Sequence, residues 1–197
     1  VKGENTMEKN QVILTGCVAS EMTFSHESHG ENFYRFTLAV ERESGTKDFL
    51  PVLISEKILM NVDENETVCV IGQFRSHNMK EEKKKHLMLY IFAFEFYVTD
   101  EPNINEIALT GYVCKEPVYR KTPLEREVTD VFIAIPRPCG KSDYIPCIAW
   151  GRNARYAAGI QPGMQIAIYG RIQSREYKIS QGTETKIAYE VSISKID

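Results

Sequence analysis

The chain repeats itself, and the repeat limits what it can fold into. Leu14-Thr15-Gly16 returns as Leu109-Thr110-Gly111, 95 residues on, and Pro51 returns as Pro146 at the same spacing. Phe36-Thr37-Leu38-Ala39-Val40 matches Val131-Phe132-Ile133-Ala134-Ile135 at that offset too. Gly72-Gln73-Phe74-Arg75-Ser76 matches Gly170-Arg171-Ile172-Gln173-Ser174 at 98, which places a three-residue insertion in between. Shared order and spacing point to a duplicated unit. The expected division is a tail at 1–9, a first domain at 10–99, a linker at 100–105 and a second domain at 106–197. The linker is polar, and its Pro102 cannot donate to a sheet ladder.

Each unit reads as all-β. Short runs of β-branched and aromatic residues predict strands near 11–18, 33–41, 47–54, 66–76 and 86–98, then near 107–113, 128–135, 143–150, 164–174 and 185–195. Between the third and fourth strands of the second unit, residues 152–158 are good helix formers, and Gly159 follows as a stop. The matching short helix of the first unit is expected over 56–61. The prediction is two tandem OB-folds, five-stranded Greek-key barrels each with a short helix between strands 3 and 4. Periodicity by itself fits other small β-barrels as well.

Composition removes several functions. No apolar run approaches the roughly 20 residues that span a bilayer. The first ten residues are polar and hold no apolar signal core, so a cytoplasmic, nucleoid-associated protein is expected. Five cysteines without CxxC spacing read as reduced thiols. His26 and His29 lack a second ligand pair, so no metal is expected, and no phosphate loop or nucleophile elbow argues for an enzyme or a cofactor. The net charge of −3 hides a split: residues 1–104 hold 11 Lys+Arg and 17 Asp+Glu, the remainder 13 and 10. One half is acidic and the other mildly basic, a weak pointer to an anion on the second half.

The second unit is more specific. Ala108-Leu109-Thr110-Gly111, Glu116-Pro117, Phe132-Ile133-Ala134-Ile135-Pro136-Arg137 and Asp143-Tyr144-Ile145-Pro146-Cys147-Ile148-Ala149-Trp150 are followed by Gly163-Met164-Gln165-Ile166 and Gly170-Arg171-Ile172-Gln173-Ser174-Arg175-Glu176-Tyr177. With these stretches, residues 106–196 resemble the bacterial single-stranded DNA-binding protein (SSB) family. The resemblance implies non-catalytic, largely sequence-independent binding of single-stranded DNA in replication, recombination or repair. It implies stacking rings at Tyr144, Trp150 and Tyr177, and a homodimer presenting four OB-folds. Replication or repair proteins would be its further partners.

The residues support that chemistry. Tyr144 and Trp150 are six apart, so a regular strand puts both on one face, with Ile145, Cys147 and Ala149 on the other. The small residues suit a barrel interior and the rings its outside. Arg171, Arg175 and Tyr177 share a face on the fourth strand by the same parity. The remaining candidate phosphate contacts are Arg152, Arg155, Lys178, Arg120, Arg137 and Lys141, with Arg152 and Arg175 foremost. In the first unit Ser55 stands opposite Trp150 and Met79 opposite Tyr177, and Phe49 alone keeps a ring. That half is therefore expected to bind DNA weakly or not at all. The ring-rich run 87–96 is read there as core and interface, and Lys83-Lys84-Lys85 as a solvated hairpin tip. The competing reading is a protein-interaction module, of the kind a primosome accessory protein would be, on an OB frame that has lost most DNA binding.

Overall fold

The structure, a computed structural model, describes residues 10–63, 66–81, 84–178 and 185–197; for 79–81, 84, 85 and 178 it describes the backbone alone. The N-terminal tail and Lys83, the first residue of the lysine cluster, lie outside the described residues.

Alternation of apolar and polar residues builds the strands. In β1 (Asn10–Val18), Val12 and Leu14 point inward, and in β3 (Glu31–Glu41), Phe36, Leu38 and Val40 do so. β4 (Lys47–Ser55) buries Leu50, Val52 and Ile54, and the long hairpin of β5 (Thr67–Glu81) and β6 (Lys84–Val98) adds Phe74 and Ile91. The second half repeats the set with β7 (Asn105–Val113), β9 (Glu127–Pro136), β10 (Ser142–Trp150), β11 (Gln165–Lys178) and β12 (Thr185–Ile196).

Two short strands escape sequence reading, β2 (Thr23–Ser28) and β8 (Val118–Lys121). Both lie flat on solvent, so neither shows a buried period. β2 turns into β3 through His29 and Gly30, whose φ angles of 53° and 75° are the left-handed pair of a tight two-residue hairpin.

Within each half five strands close on themselves, in the order β1-β5-β6-β4-β3 and β7-β11-β12-β10-β9. β4 pairs with β6 in parallel, as β10 does with β12; the other pairings are antiparallel. This is the OB-fold, twice. One short helix, α1 (Arg152–Ala157), plugs the second barrel with Ala154 and Ala157. The helix expected over 56–61 is absent and a turn stands in its place. Ser55 begins a cap, its Oγ accepting from the Lys57 amide at 3.1 Å. Ile58, Asn61 and Val62 are poor helix formers and cannot propagate it, where the second half supplies alanines.

The glycine that opens each repeated fourth-strand motif has a steric cause. Both Gly72 and Gly170 sit at a bulge, pressed against the facing strand. A Cβ would lie 2.1 Å from the Phe92 carbonyl oxygen at the first and 2.1 Å from that of Ser192 at the second. Only glycine permits that approach.

The two barrels join through an antiparallel ladder of β1 on β7, running from Asn10↔Leu109 to Leu14↔Asn105. Arg42 and Asp48 of the first barrel form an ion pair at 2.6 Å. The same Asp48 carboxylate accepts from the Ser174 amide (2.7 Å) and hydroxyl (2.9 Å) of the second. Arg42 also donates to the Ser174 carbonyl at 3.2 Å. Arg137 and Asp143 of the second barrel repay this on Ser76 of the first, with the Ser76 amide on Asp143 at 2.7 Å and Arg137 on the Ser76 carbonyl at 3.2 Å. The duplicated halves thus meet as a pseudo-two-fold pair, the same residues facing each other in exchange.

Burial alone would raise the Asp48 carboxyl, but the bonds from Arg42 and Ser174 outweigh it and hold it below the ordinary aspartate range. A folded-state pKa below the unfolded one adds stability that is complete above about pH 4 and is lost as pH falls through the folded value. Asp48→Ala is expected to cost about 3 kcal/mol by stranding Arg42 and the Ser174 amide. Asp48→Asn should show a shallower loss of melting temperature below about pH 4 than the parent protein. Gly170→Ala is expected to cost about 1–3 kcal/mol in chemical denaturation, because the clash is with backbone.

Candidate nucleic-acid interface

Strand β10 sorts its residues as parity predicts. Asp143, Ile145, Cys147 and Ala149 face inward, each at most 3% exposed. Tyr144 and Trp150 face outward at 36% and 38%. Ile148 also points outward but is covered, in a row that runs across the sheet as Arg171, Ser192, Ile148, Asp130.

Tyr144 does not stand alone. The Phe132 ring lies beside it, centroids 6.2 Å apart and planes 21° from parallel, and Lys115 Nζ sits 4.7 Å from the Phe132 centroid. Register places Tyr112 on β7 and Tyr144 on β10 either side of Ala134 on β9. Sequence reasoning missed Phe132, Lys115 and Tyr112. The even spacing of Phe132 and Ala134 along the strand opposite Tyr144 was the available signal for Phe132.

Strand β11 carries Arg171, Gln173, Arg175 and Tyr177 on its outer face, opposite Ser192, Glu190, Ala188 and Lys186 of β12. Tyr177 is 44% exposed. An acid breaks this row: Glu190, 7% exposed, accepts from Gln173 Nε2 at 2.8 Å and pairs with Arg175 at 3.7 Å.

Other candidate cations are held by carboxylates. Arg120 binds Asp130 at 3.0 Å. Glu127 takes Arg155 on one oxygen and the Tyr119 hydroxyl, at 2.8 Å, on the other. Arg137 stands apart from the interface set. Its fork is engaged by Asp143 and Ser76, as Arg42 is by Asp48 and Ser174, so the seam and not a phosphate explains it. Among the described residues Arg152, Arg171 and Lys141 make no ion pair. The Lys178 side chain lies outside the described residues.

Known proteins resemble this arrangement. The model of the single-strand binding protein family matches residues 104–197. Those residues form a domain of the single-strand binding protein family. The single-stranded DNA-binding protein of Clostridium tetani is 34% identical over 87 residues, 41% of this chain and 60% of that protein. Single-stranded DNA-binding protein A of Bacillus subtilis is 30% identical over 86 residues, 40% of this chain and 50% of that one. The chain spans half to three fifths of the length of these two relatives. The crystal structure of the single-stranded DNA-binding protein of Thermus aquaticus superposes with a TM-score of 0.76. That superposition covers 95% of this chain and 91% of the Thermus chain at 17% identity. What the two share is therefore the fold, and it extends over the first barrel as well as the SSB domain. No helix among the described residues is long and apolar enough to cross a membrane.

Chemical modification reads these exposed rings directly. Tyr144 and Tyr177 are expected to nitrate with tetranitromethane in the folded protein, and Trp150 to be quenched by acrylamide. Protection of all three would contradict the outer-face placement.

Proposed function

We propose that the chain is a non-catalytic binder of single-stranded DNA with little sequence preference, working by base stacking and phosphate neutralisation. One observation carries this reading. Three large rings, Tyr144, Trp150 and Tyr177, are exposed on a closed barrel, and between the first two Ile145, Cys147, Ile148 and Ala149 are buried. Exposed rings cost hydration and gain nothing in the free protein. An unpaired base supplies the missing partner, because every base has a π-face. Arg171 and Arg175 in the Tyr177 row, with Arg152, Lys141 and Lys178 nearby in sequence, supply the charge for the backbone. Arg120 and Arg155 can exchange their carboxylates for phosphates when the strand arrives. The SSB assignment of residues 104–197 supports the same reading.

The natural setting of such a binder is the covering of single strands in replication, recombination or repair. With two barrels per chain, a homodimer brings the count to four, the number that SSB assemblies present. Sedimentation at twice 22.5 kDa is expected, and a mass of 22.5 kDa would rule the dimer out.

Trp150 is the one tryptophan, so it reports on its own site. Titration with poly-dT is expected to quench its fluorescence to saturation, with duplex DNA leaving it unchanged. Affinity should fall with salt by about 0.7 log unit per log unit for each phosphate contacted. Tyr144→Ala or Tyr177→Ala should each lose about 1–3 kcal/mol of binding free energy. Absence of both quenching and an anisotropy change with labelled poly-dT would refute this function and leave an interaction module on the same fold.

A further inference from the structure

The first barrel lost rings at two of the three positions that carry them in the second, yet its outer face is not bare. Phe33 on β3 and Phe92 on β6 meet there with centroids 5.9 Å apart, and Phe94 follows at 5.5 Å from Phe92. His26 stacks on Phe33 at 5.1 Å, 12° from parallel. The Arg75 guanidinium lies 3.8 Å from the Phe92 centroid and 5.6 Å from that of Phe94. Its hydrogen bonds go to the neutral Gln73, at 2.9 and 3.1 Å, and no carboxylate pairs with it among the described residues.

Register shows that these rings stand at positions other than those of the rings on the second barrel. The row Arg35, Leu53, Phe92, Gln73 crosses the first barrel where Asp130, Ile148, Ser192, Arg171 crosses the second. A ring stands where the second barrel has Ser192, and where it has Asp130 stands Arg35, which makes no ion pair among the described residues. Phe94 likewise occupies the place of Ser194, and Phe33 that of Val128. Phe94 is 41% exposed, and Phe33 and Phe92 are half-buried, with His26 over one face of Phe33 and Arg75 over one face of Phe92.

This face continues from the other. The backbone amide of Tyr144 donates to Ser76 Oγ at 2.7 Å, and Ser76 follows Arg75 on β5. A cleft of about 370 Å³ opens at that point, lined by Asn10 and Gln73 of the first barrel and Ile135, Arg137 and Asp143 of the second.

We infer that the outer face of the first barrel, built on Phe33, Phe92, Phe94, Arg75 and Arg35, is a second stacking platform that takes the same single strand as it leaves Tyr144 across the seam. The inference rests on the single-strand reading above. It differs from that reading in assigning a site to the half where the matched stacking positions are missing. A protein partner could cover the rings, but Arg75 and Arg35, which make no ion pair among the described residues, call for an anionic ligand, and the strand already at Tyr144 provides one.

The test compares the full-length protein with Phe94→Ala and Arg35→Ala, both at exposed positions, and with Arg75→Gln. Oligo-dT of about 8 and about 35 nucleotides brackets one and several OB-fold footprints. The 8-mer is followed by Trp150 quenching and the 35-mer by anisotropy. Each variant is expected to lower the ratio of 35-mer to 8-mer affinity by about tenfold. A 35-mer carrying 5-iododeoxyuridine should crosslink to the peptide containing Phe92 and Phe94. Quenching by the 8-mer with unchanged ratios and no crosslink in the first barrel would overturn the platform while leaving the second-barrel site intact. No binding of either oligonucleotide to the parent protein would instead remove the single-strand reading itself. A change in sedimentation mass on Phe94→Ala with unaltered 35-mer affinity would make this face a protein contact and overturn the inference.

Discussion

The exchanged carboxylates hold the rest of the molecule in place. Asp48 and Asp143 are almost wholly out of solvent, at 0% and 1%, and each reaches out of its own barrel to the other's fourth strand. An isolated buried carboxylate is costly, so each carries its own arginine, Arg42 or Arg137. The result is a charged contact that fixes orientation as well as distance. Hydrophobic surface alone between two barrels would permit sliding; a carboxylate oxygen shared by an amide and an arginine fork does not. The β1–β7 ladder supplies continuity of the sheet, and Asn10 and Asn105 repeat one further lock. The Asn10 side chain brackets the Phe74 backbone at 2.7 and 2.9 Å, and that of Asn105 brackets Ile172 at 2.7 and 2.8 Å.

That lock decides where the faces proposed for binding lie. Ser76 and Ser174, which the clamps grip, sit in the strands whose next residues are His77 and Arg175. Tyr144 follows Asp143 directly, so anchoring the acid on the first barrel also places the ring beside it. A residue pair chosen for assembly therefore positions the residues proposed for binding. The same geometry removes Arg137 from the free cations, although its neighbours in sequence suggest a loop contact with phosphate.

Much of this was legible in the chain. The 95-residue offset marked both barrels, and the parity of Tyr144 with Trp150 and of Arg171 with Tyr177 put the right side chains outside. The failures have physical reasons. Helix 56–61 was inferred from its counterpart, but a duplicated frame does not carry alanines with it, and Ile58 with Val62 cannot replace them. β2 and β8 are exposed on both faces, Phe24, Val118 and Tyr119 included, so they are held by backbone ladders that leave no periodic trace of burial. Matching by offset also compares positions and not faces. It found Ser55 and Met79 where rings were expected, but could not see Phe33 meeting Phe92, because that contact depends on the parallel pairing Leu53↔Phe92 and on the register of β3 against β4.

The acids on the SSB domain set how its cations work. Asp130 holds Arg120, Glu127 holds Arg155, and Glu190 stands within 3.7 Å of Arg175. A phosphate that takes one of these arginines displaces a carboxylate before it gains a contact, so the net gain is smaller than for an unpaired cation. On the proposed function, counterion release would come mainly from Arg152, Arg171 and Lys141, and binding would lean on the rings more than on charge. The acids also keep the free surface from acting as a general polyanion trap, which agrees with a chain whose net charge is −3. Duplex DNA offers phosphates at high density but no open base faces. On the proposed function, a surface whose affinity comes from stacking, with its arginines already half-satisfied, would discriminate against duplex without any steric gate.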